Sequence, residues 1–509
     1  MIDWKTTYPE EKGIPSIFLL KMMERWERDL CHVHGYLILR GGQPAAEAYH
    51  FPYSEKDTRY VHSVSKTVTS LAIGIAQEEG LLSLDDLVVS FFPENEKWNG
   101  EKEGFRHLKL RHLLMMATGQ SIDSIDSIFS QELPPWAAFF NEKAVDEPGS
   151  RFVYNSGATY MLSKILTMVT GETLLNYLKP RLFLPLGITD AGWDEIDGAS
   201  TGGWGCFLSL RDMAKIGQLM LQKGKWDDRQ LVPEAWILEM SSKKIDTKEA
   251  NVYPDWQQGY GYQIWRCTRE GCFRADGAFG QYILVLPPKD MVVAIWSEDA
   301  FSQDMLDSLW EEVYDKISDN VYGVDGNAYE HFCARCIAWA TPEVTPPTSS
   351  YLEKRIDGKI FKTSVQEKES IAESIQFSFP EHGQLSVSIK RDHVVTKITA
   401  GNTLPYRGDG NLCFEAATFI RFGKKKEEKR KYVSTYQWLS DHVLNIHIDW
   451  LETAHTTEIT CVFGTDHVAV SFSVSYRKFL LKLHSSPALH IDDMWFVGKA
   501  YDRPYRRKF

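Results

Sequence analysis

A serine and a lysine three residues apart on a helix share one face, so Ser63-x-x-Lys66 sets an amine beside a hydroxyl. A serine hydroxyl is a weak nucleophile until a neighbouring base takes its proton. A lysine can be that base only after losing its own proton, which burial or nearby cations bring about. Free backbone N–H groups at a helix start also favour the negative charge that develops when such a serine attacks a carbonyl. The spacing by itself is common, since Ser241-x-x-Lys244 and Ser475-x-x-Lys478 match it too. Only Ser63 opens a long apolar helix shortly after a hairpin.

The elements around that helix follow from pattern. Ser16 reads as an N-cap for a helix over 17–27, with Leu20 and Met23 on one side. Residues 35–40 (GYLILR) and 46–50 read as a hairpin turned at Gly41-Gly42. From Ser63 to Glu79, Val64, Val68, Leu71 and Ile75 fall at helical spacing, which predicts a buried helix ended by Gly80. Residues 107–178 read mostly as helix with loops at 119–126 and 147–150, and 210–222 as another helix after the glycine-rich 202–205. Four runs, 262–267, 272–275, 282–286 and 291–296, then read as consecutive antiparallel strands, closed by a helix over 302–317. Strands at both ends with helices between predict an α+β domain whose single antiparallel sheet is built from both ends.

A chain of 509 residues exceeds one comfortable core, so more than one domain is expected. Residues 1–340 form the first, and the proline-bearing TPEVTPPTSS (341–350) reads as a linker. Residues 351–509 change to short alternating runs (384–390, 442–450, 458–463, 468–474), the pattern of an all-β, antiparallel barrel-like domain. The basic run KKKEEKRK (424–431) reads as a solvated hairpin loop. A formal charge of −12 and a pI near 5.7 argue against a nucleic-acid partner. The start MIDWKTTYPEEKG has neither the basic nor the apolar stretch of a secretory signal, and no run is long enough to span a membrane. A soluble, cytoplasmic protein is expected, without membrane contact and with its oligomeric state left open. Eight scattered cysteines fit reduced thiols. Cys333 and Cys336 lack the second pair a zinc site needs and read as helix-face thiols, while a Cys267–Cys272 bridge across a hairpin is conceivable.

Five stretches then carry a resemblance. HSVSKTVTSLAIGIAQEEG (62–80) resembles the nucleophile helix of the serine β-lactamase, penicillin-binding-protein and esterase superfamily. RHLLMMATG (111–119), EPGSRFVYNSGATYMLSKILTMVTG (147–171), GGWGCFLSLRDMAKIGQLMLQKGKW (202–226) and FRADGAFGQYILVLPPKDMVVAIWS (273–297) are similar to later segments of that family, in the same order. The resemblance spans about residues 10–320 and implies the β-lactamase/transpeptidase-like fold. It implies Ser63 as the acylated residue, Lys66 as base, and Tyr154 sharing the proton shuttle with its phenolate favoured by Lys66. The backbone N–H groups of Ser63 and Ala278 would form the oxyanion hole.

Two departures from the family pattern bear on substrate. Tyr154-Asn155-Ser156 puts Ser156 where the family has asparagine, a shorter hydrogen-bonding side chain. Ala275-Asp276-Gly277 stands where the family carries Lys or His before glycine, so the cation that would hold a substrate carboxylate is missing. Ser156, Asp276 and Gly277 remain candidate substrate contacts, with Asp276 suited either to a cationic group or to a structural turn. The expected chemistry is hydrolysis of a small-molecule ester or amide through a Ser63 acyl-enzyme, with no metal or cofactor, and β-lactams are disfavoured. Two alternatives stand beside it: a sensor or binding module of penicillin-binding type that does not turn over, and a D-amino-acid peptidase or amidase gated by the C-terminal domain. Gly198-Ala-Ser200-Thr-Gly202 fits a nucleophile elbow but lacks the buried strand such an elbow needs. Ser318-Asp319-Asn320 comes after Ala275-Asp276-Gly277, the place of the family's third motif, and so is out of order, and His32, His34, His107 and His112 show no metal-ligand spacing.

Overall fold

The computed structural model describes residues 2, 4, 8–92, 102–129, 133–299, 302–318, 322–344, 346–363, 372–380, 383–391, 394–411, 429–474 and 477–484. The chain forms two compact units, Met1–Ala340 and Thr341–Phe509.

The first unit is built on one six-stranded antiparallel sheet. Its strands are β1 (Val33–Arg40), β2 (Gln43–Tyr49), β3 (Trp265–Arg266), β4 (Phe273–Gly277), β5 (Gln281–Leu286) and β6 (Met291–Ser297), in the order β3-β4-β5-β6-β1-β2. The N-terminal hairpin thus adds to the last strand, with Leu37 opposite Ala294, as the sequence predicts. Every residue of β5 and β6 is buried, because helices cover both faces of the sheet. On one face α1 (Ser16–Arg28) packs Leu19, Met22, Met23 and Trp26 against Tyr36, Ile38, Leu284 and Val293. The other face carries α2 (Val64–Glu78) and α4 (Leu210–Leu221), and α3 (Ser156–Thr170) packs against α2. Gly217 lets α4 lie against the sheet, since a Cβ there would sit 2.5 Å from a Val292 methyl.

Local differences from expectation have local causes. Pro15, not Ser16, takes the N-cap of α1, and the Ser16 N–H is held by the Glu10 carboxylate at 2.7 Å. The strand expected over 262–267 shrinks to two residues, because Gln263 is left-handed (φ 63°) and the Tyr262 N–H turns away to the Met240 carbonyl. The helix expected to run through 302–317 is Gln303–Leu309 continued by a π-turn, Trp310–Tyr314. A further helix, α5 (Gly326–Ala340), carries Cys333 and Cys336 against the core. Cys267 and Cys272 face each other through their backbones but remain free thiols, the latter hydrogen-bonded to the Tyr314 hydroxyl.

The second unit is a ten-stranded, nearly closed barrel-like sheet. Its strands are β7 (Ile360–Thr363), β8 (Ser374–Ser378), β9 (Gln384–Arg391), β10 (Val394–Gly401), β11 (Tyr406–Asn411), β12 (Lys429–Ser440), β13 (Val443–Trp450), β14 (Thr456–Phe463), β15 (His467–Val474) and β16 (Arg477–His484). They run in the order β10-β9-β8-β7-β16-β15-β14-β13-β12-β11, and a Gly401–Thr435 pairing brings the two ends together. Strict alternation along β13 buries Leu444, Ile446, Ile448 and Trp450 in a core with Phe377, Val387 and Phe472. The other side of β13 presents His447 between Glu458 and Asp449. Of the basic run 424–431, the first five residues lie outside the described residues and the last three open β12.

Candidate active site

The segment before α2 determines where Ser63 stands. Arg59–Tyr60 pairs with Cys206–Leu208, and the Val61 N–H continues that ladder to the Cys206 carbonyl. His62 then takes a left-handed conformation (φ 50°), a costly one for a side chain with a Cβ, and turns the chain into the helix. Ser63 occupies the N-cap position and is half-buried. Residues 64–76 of α2 are all buried, which places Lys66 inside the protein with 2% of its surface exposed.

The Lys66 amine lies 2.9 Å from Ser63 Oγ, 3.2 Å from Ser156 Oγ and 2.7 Å from the Gly203 carbonyl oxygen. The glycine-rich 202–205 stretch makes the third contact possible. A Cβ on Gly203 would sit 2.8 Å from the Ser156 carbonyl and 3.5 Å from the amine itself. Burial pushes the Lys66 ammonium down to about 7, against the opposing pull of Asp123 and Asp276. An amine poised near neutrality beside a serine hydroxyl can act as a general base.

Tyr154 immediately precedes the Asn155 cap of α3. Its ring stacks on Trp265 (5.9 Å, 20°), its face receives Lys66 Nζ at 4.9 Å, and its hydroxyl hydrogen-bonds with Ser63. Burial pushes the phenol above its ordinary range and so works against the phenolate that Lys66 would favour.

The third motif lies on β4. A Cβ on Gly277 would meet the Val61 carbonyl oxygen at 2.4 Å, so only glycine lets this strand end run against the approach to Ser63. Exposed Ala278 follows at once, and left-handed Phe279 and Gly280 complete the turn into β5. Asp276 is a strand residue, not a turn residue, and its charge is already met. Arg274, two positions earlier on the same face and fully buried, holds one carboxylate oxygen with Nε at 3.0 Å and Nη2 at 2.9 Å. The guanidinium also lies over Trp256 and donates to the Asp255 and Arg266 carbonyls. Burial raises Asp276 to about 6 even with this partner beside it. A cation therefore does exist next to the third motif, but it is spent on a carboxylate within the protein.

Three site components escaped the sequence reading: Asp123, Arg274 and the Gly203 carbonyl. The decoys separate cleanly. The Ser241 hydroxyl is bound to the Ile237 carbonyl and Lys244 pairs with Glu239. Ser200 is fully buried, with its carbonyl taken by Ser163. Ser475, Asp319 and Asn320 lie outside the described residues. His34 contacts the Arg59 guanidinium and His112 accepts the Lys109 N–H. Among the described residues no group of three or more His, Cys, Asp or Glu side chains is arranged to hold a metal, and no helix is long and apolar enough to cross a membrane.

Comparison with known proteins agrees with this geometry at the level of fold. The family model described as Beta-lactamase matches residues 24–314. The chain is 23% identical over 284 residues to a 6-aminohexanoate-dimer hydrolase of Paenarthrobacter ureafaciens, covering 51% of this chain and 70% of that protein. It is 29% identical over 162 residues to a lovastatin esterase of Penicillium rubens, covering 28% of this chain and 40% of that one. A Bacillus anthracis protein of known structure, described as a candidate 6-aminohexanoate-dimer hydrolase, superposes with a TM-score of 0.50 at 20% identity, over 62% of this chain and 86% of its own.

Proposed function

The chain belongs to the Beta-lactamase family of hydrolases, and from that premise we propose that it cleaves a small-molecule ester or amide through a Ser63 acyl-enzyme. The observation that carries this reading is the buried Lys66 amine 2.9 Å from Ser63 Oγ, lowered to about 7. Ser63 Oγ attacks the carbonyl carbon while its proton passes to Lys66. Neutral Tyr154, hydrogen-bonded at Ser63, gives its proton to the departing oxygen or nitrogen and regains one from Lys66. The N–H groups of Ser63 and Ala278 receive the oxyanion, a role supported by the close passage of Gly277 past Val61.

The preferred substrate has no free carboxylate beside the scissile bond, because Arg274 is committed to Asp276. The names of two relatives, a 6-aminohexanoate-dimer hydrolase and a lovastatin esterase, support hydrolysis of a small molecule. The test is labelling by a fluorophosphonate, with p-nitrophenyl ester turnover in parallel. Wild type should label and turn over, and Ser63→Ala should do neither. Equal labelling or turnover in the two proteins would sink the assignment.

A further inference from the structure

Asp123 takes no part in the proton path just described, yet the protein is built to hold it there. The loop carrying it is pinned on both sides by Asn155. Asn155 Oδ1 accepts the Ser124 N–H (3.2 Å) and hydroxyl (2.9 Å), and its Nδ2 donates to Gln120 Oε1 at 2.7 Å. Gly157 leaves room for this, since a Cβ would fall 2.0 Å from Ser124 Oγ. Asp123 Oδ1 then accepts the N–H groups of Ser156 (2.8 Å) and Ile125 (3.1 Å), which places a carboxylate at the N-terminus of α3. The Ser156 hydroxyl bonds to the same carboxylate.

The partners of Lys66 differ in what they can do. A neutral amine has two N–H donors and one lone pair. The Gly203 carbonyl can only accept, and a serine hydroxyl can accept or donate. For the lone pair to face Ser63, one N–H must go to Gly203 and the other to Ser156 Oγ. Ser156 must then send its own proton elsewhere, and a carboxylate, which only accepts, is the partner that draws it away.

We propose that Asp123 is a positioning residue that fixes the direction of the Ser156 hydroxyl, so that the Lys66 lone pair is reserved for the Ser63 proton. This rests on the reading of Ser63 as nucleophile and Lys66 as base. The groups facing the amine are Asp123 from its loop, Asp276 from β4, Tyr154 and Ser156 at the start of α3, Ser63 on α2 and the Gly203 carbonyl. The Asp123 charge has a second, separable effect, since it pulls Lys66 upward against burial.

The experiment follows phosphonylation of Ser63 by a fluorophosphonate across pH. In that step a Ser63 O–P bond forms, fluoride leaves and the hydroxyl proton moves to Lys66. Asp123→Asn keeps an accepting oxygen, so its plateau rate stays within about twofold, while its acid limb moves to lower pH. Asp123→Ala frees the Ser156 hydroxyl to occupy the lone pair, and the plateau falls about tenfold. In a Ser156→Ala background the same Asp123→Ala change costs no more than about twofold, because no hydroxyl remains to misdirect. A plateau loss well beyond twofold in Asp123→Asn, or a full loss from Asp123→Ala without Ser156, overturns the proposal. If Asp123→Ala does not fold, the plateau of Asp123→Asn decides alone, and a loss well beyond twofold there overturns the proposal. Wild type that fails to label at Ser63 refutes the underlying functional reading instead, so the two failures are told apart.

Discussion

Replacing Lys66 with arginine keeps a cation of similar reach but removes a proton that can leave, because guanidinium does not deprotonate in proteins. With Lys66 lowered to about 7, roughly three-quarters of the amine is neutral at pH 7.5, against about one part in a thousand for an ordinary lysine near 10.5. Burial therefore multiplies the available base by nearly a thousand, worth about 4 kcal/mol. The assay is kcat/KM for p-nitrophenyl butyrate from about pH 5 to 9, which reports the ionisation of the free enzyme. Wild-type activity should rise tenfold per pH unit and bend near 7, since the protonated amine cannot accept the serine proton. Lys66→Arg should lose about 10² to 10⁴ at the plateau, the usual contribution of a positioned base. A bend between about 4 and 5, where ordinary carboxylates titrate, would assign the base to another group. So would an arginine variant that keeps wild-type rates.

The Arg274–Asp276 pair should reveal itself in stability. Arg274→Met leaves a buried carboxylate without its cation and is expected to cost about 3–5 kcal/mol in urea unfolding, most of it recovered by adding Asp276→Leu. A single variant as stable as wild type would show that the pair carries no such strain. On the second unit, burial works against the His447 imidazolium, but the hydrogen bonds it donates to Asp449 and Glu458 outweigh that and raise His447 to about 10. This folded value lies above the roughly 6.5 of free imidazole, so the stabilisation is complete below about pH 6.5 and is lost as pH climbs toward 10. Glu458→Gln should flatten the fall of Tm over that window in thermal melts of the full chain. Parallel wild-type and variant curves would refute the arrangement.

What the sequence shows and what it hides divide along physical lines. Ser63 and Lys66 are legible because they sit on a strongly periodic helix, and the two-ended sheet because apolar runs of strand length bracket the helical middle. Asp123 leaves no such trace. It lies in a polar loop where no periodicity marks it, and its importance comes from Asn155 and Ser156 more than 30 positions later. Arg274 adjoins Ala275-Asp276-Gly277 without belonging to its pattern, since strand alternation pairs it with Asp276 rather than with Ala275. The Gly203 carbonyl is a backbone group, and no side-chain motif can announce it. At Tyr154 the proximity to Lys66 is readable from the sequence, but the depth of the surrounding aromatic packing, which works against a phenolate, is not.

The pairing of β1 with β6 also sets a timetable for synthesis. The two strands are separated by about 250 residues, so on a ribosome adding 5–20 residues per second the first hairpin waits roughly ten to fifty seconds for its neighbour. Until then one edge of β1 stands open, and the strand end that flanks Ser63 has not yet been made. The long-range closure that slows folding therefore also times the completion of the surroundings of Ser63.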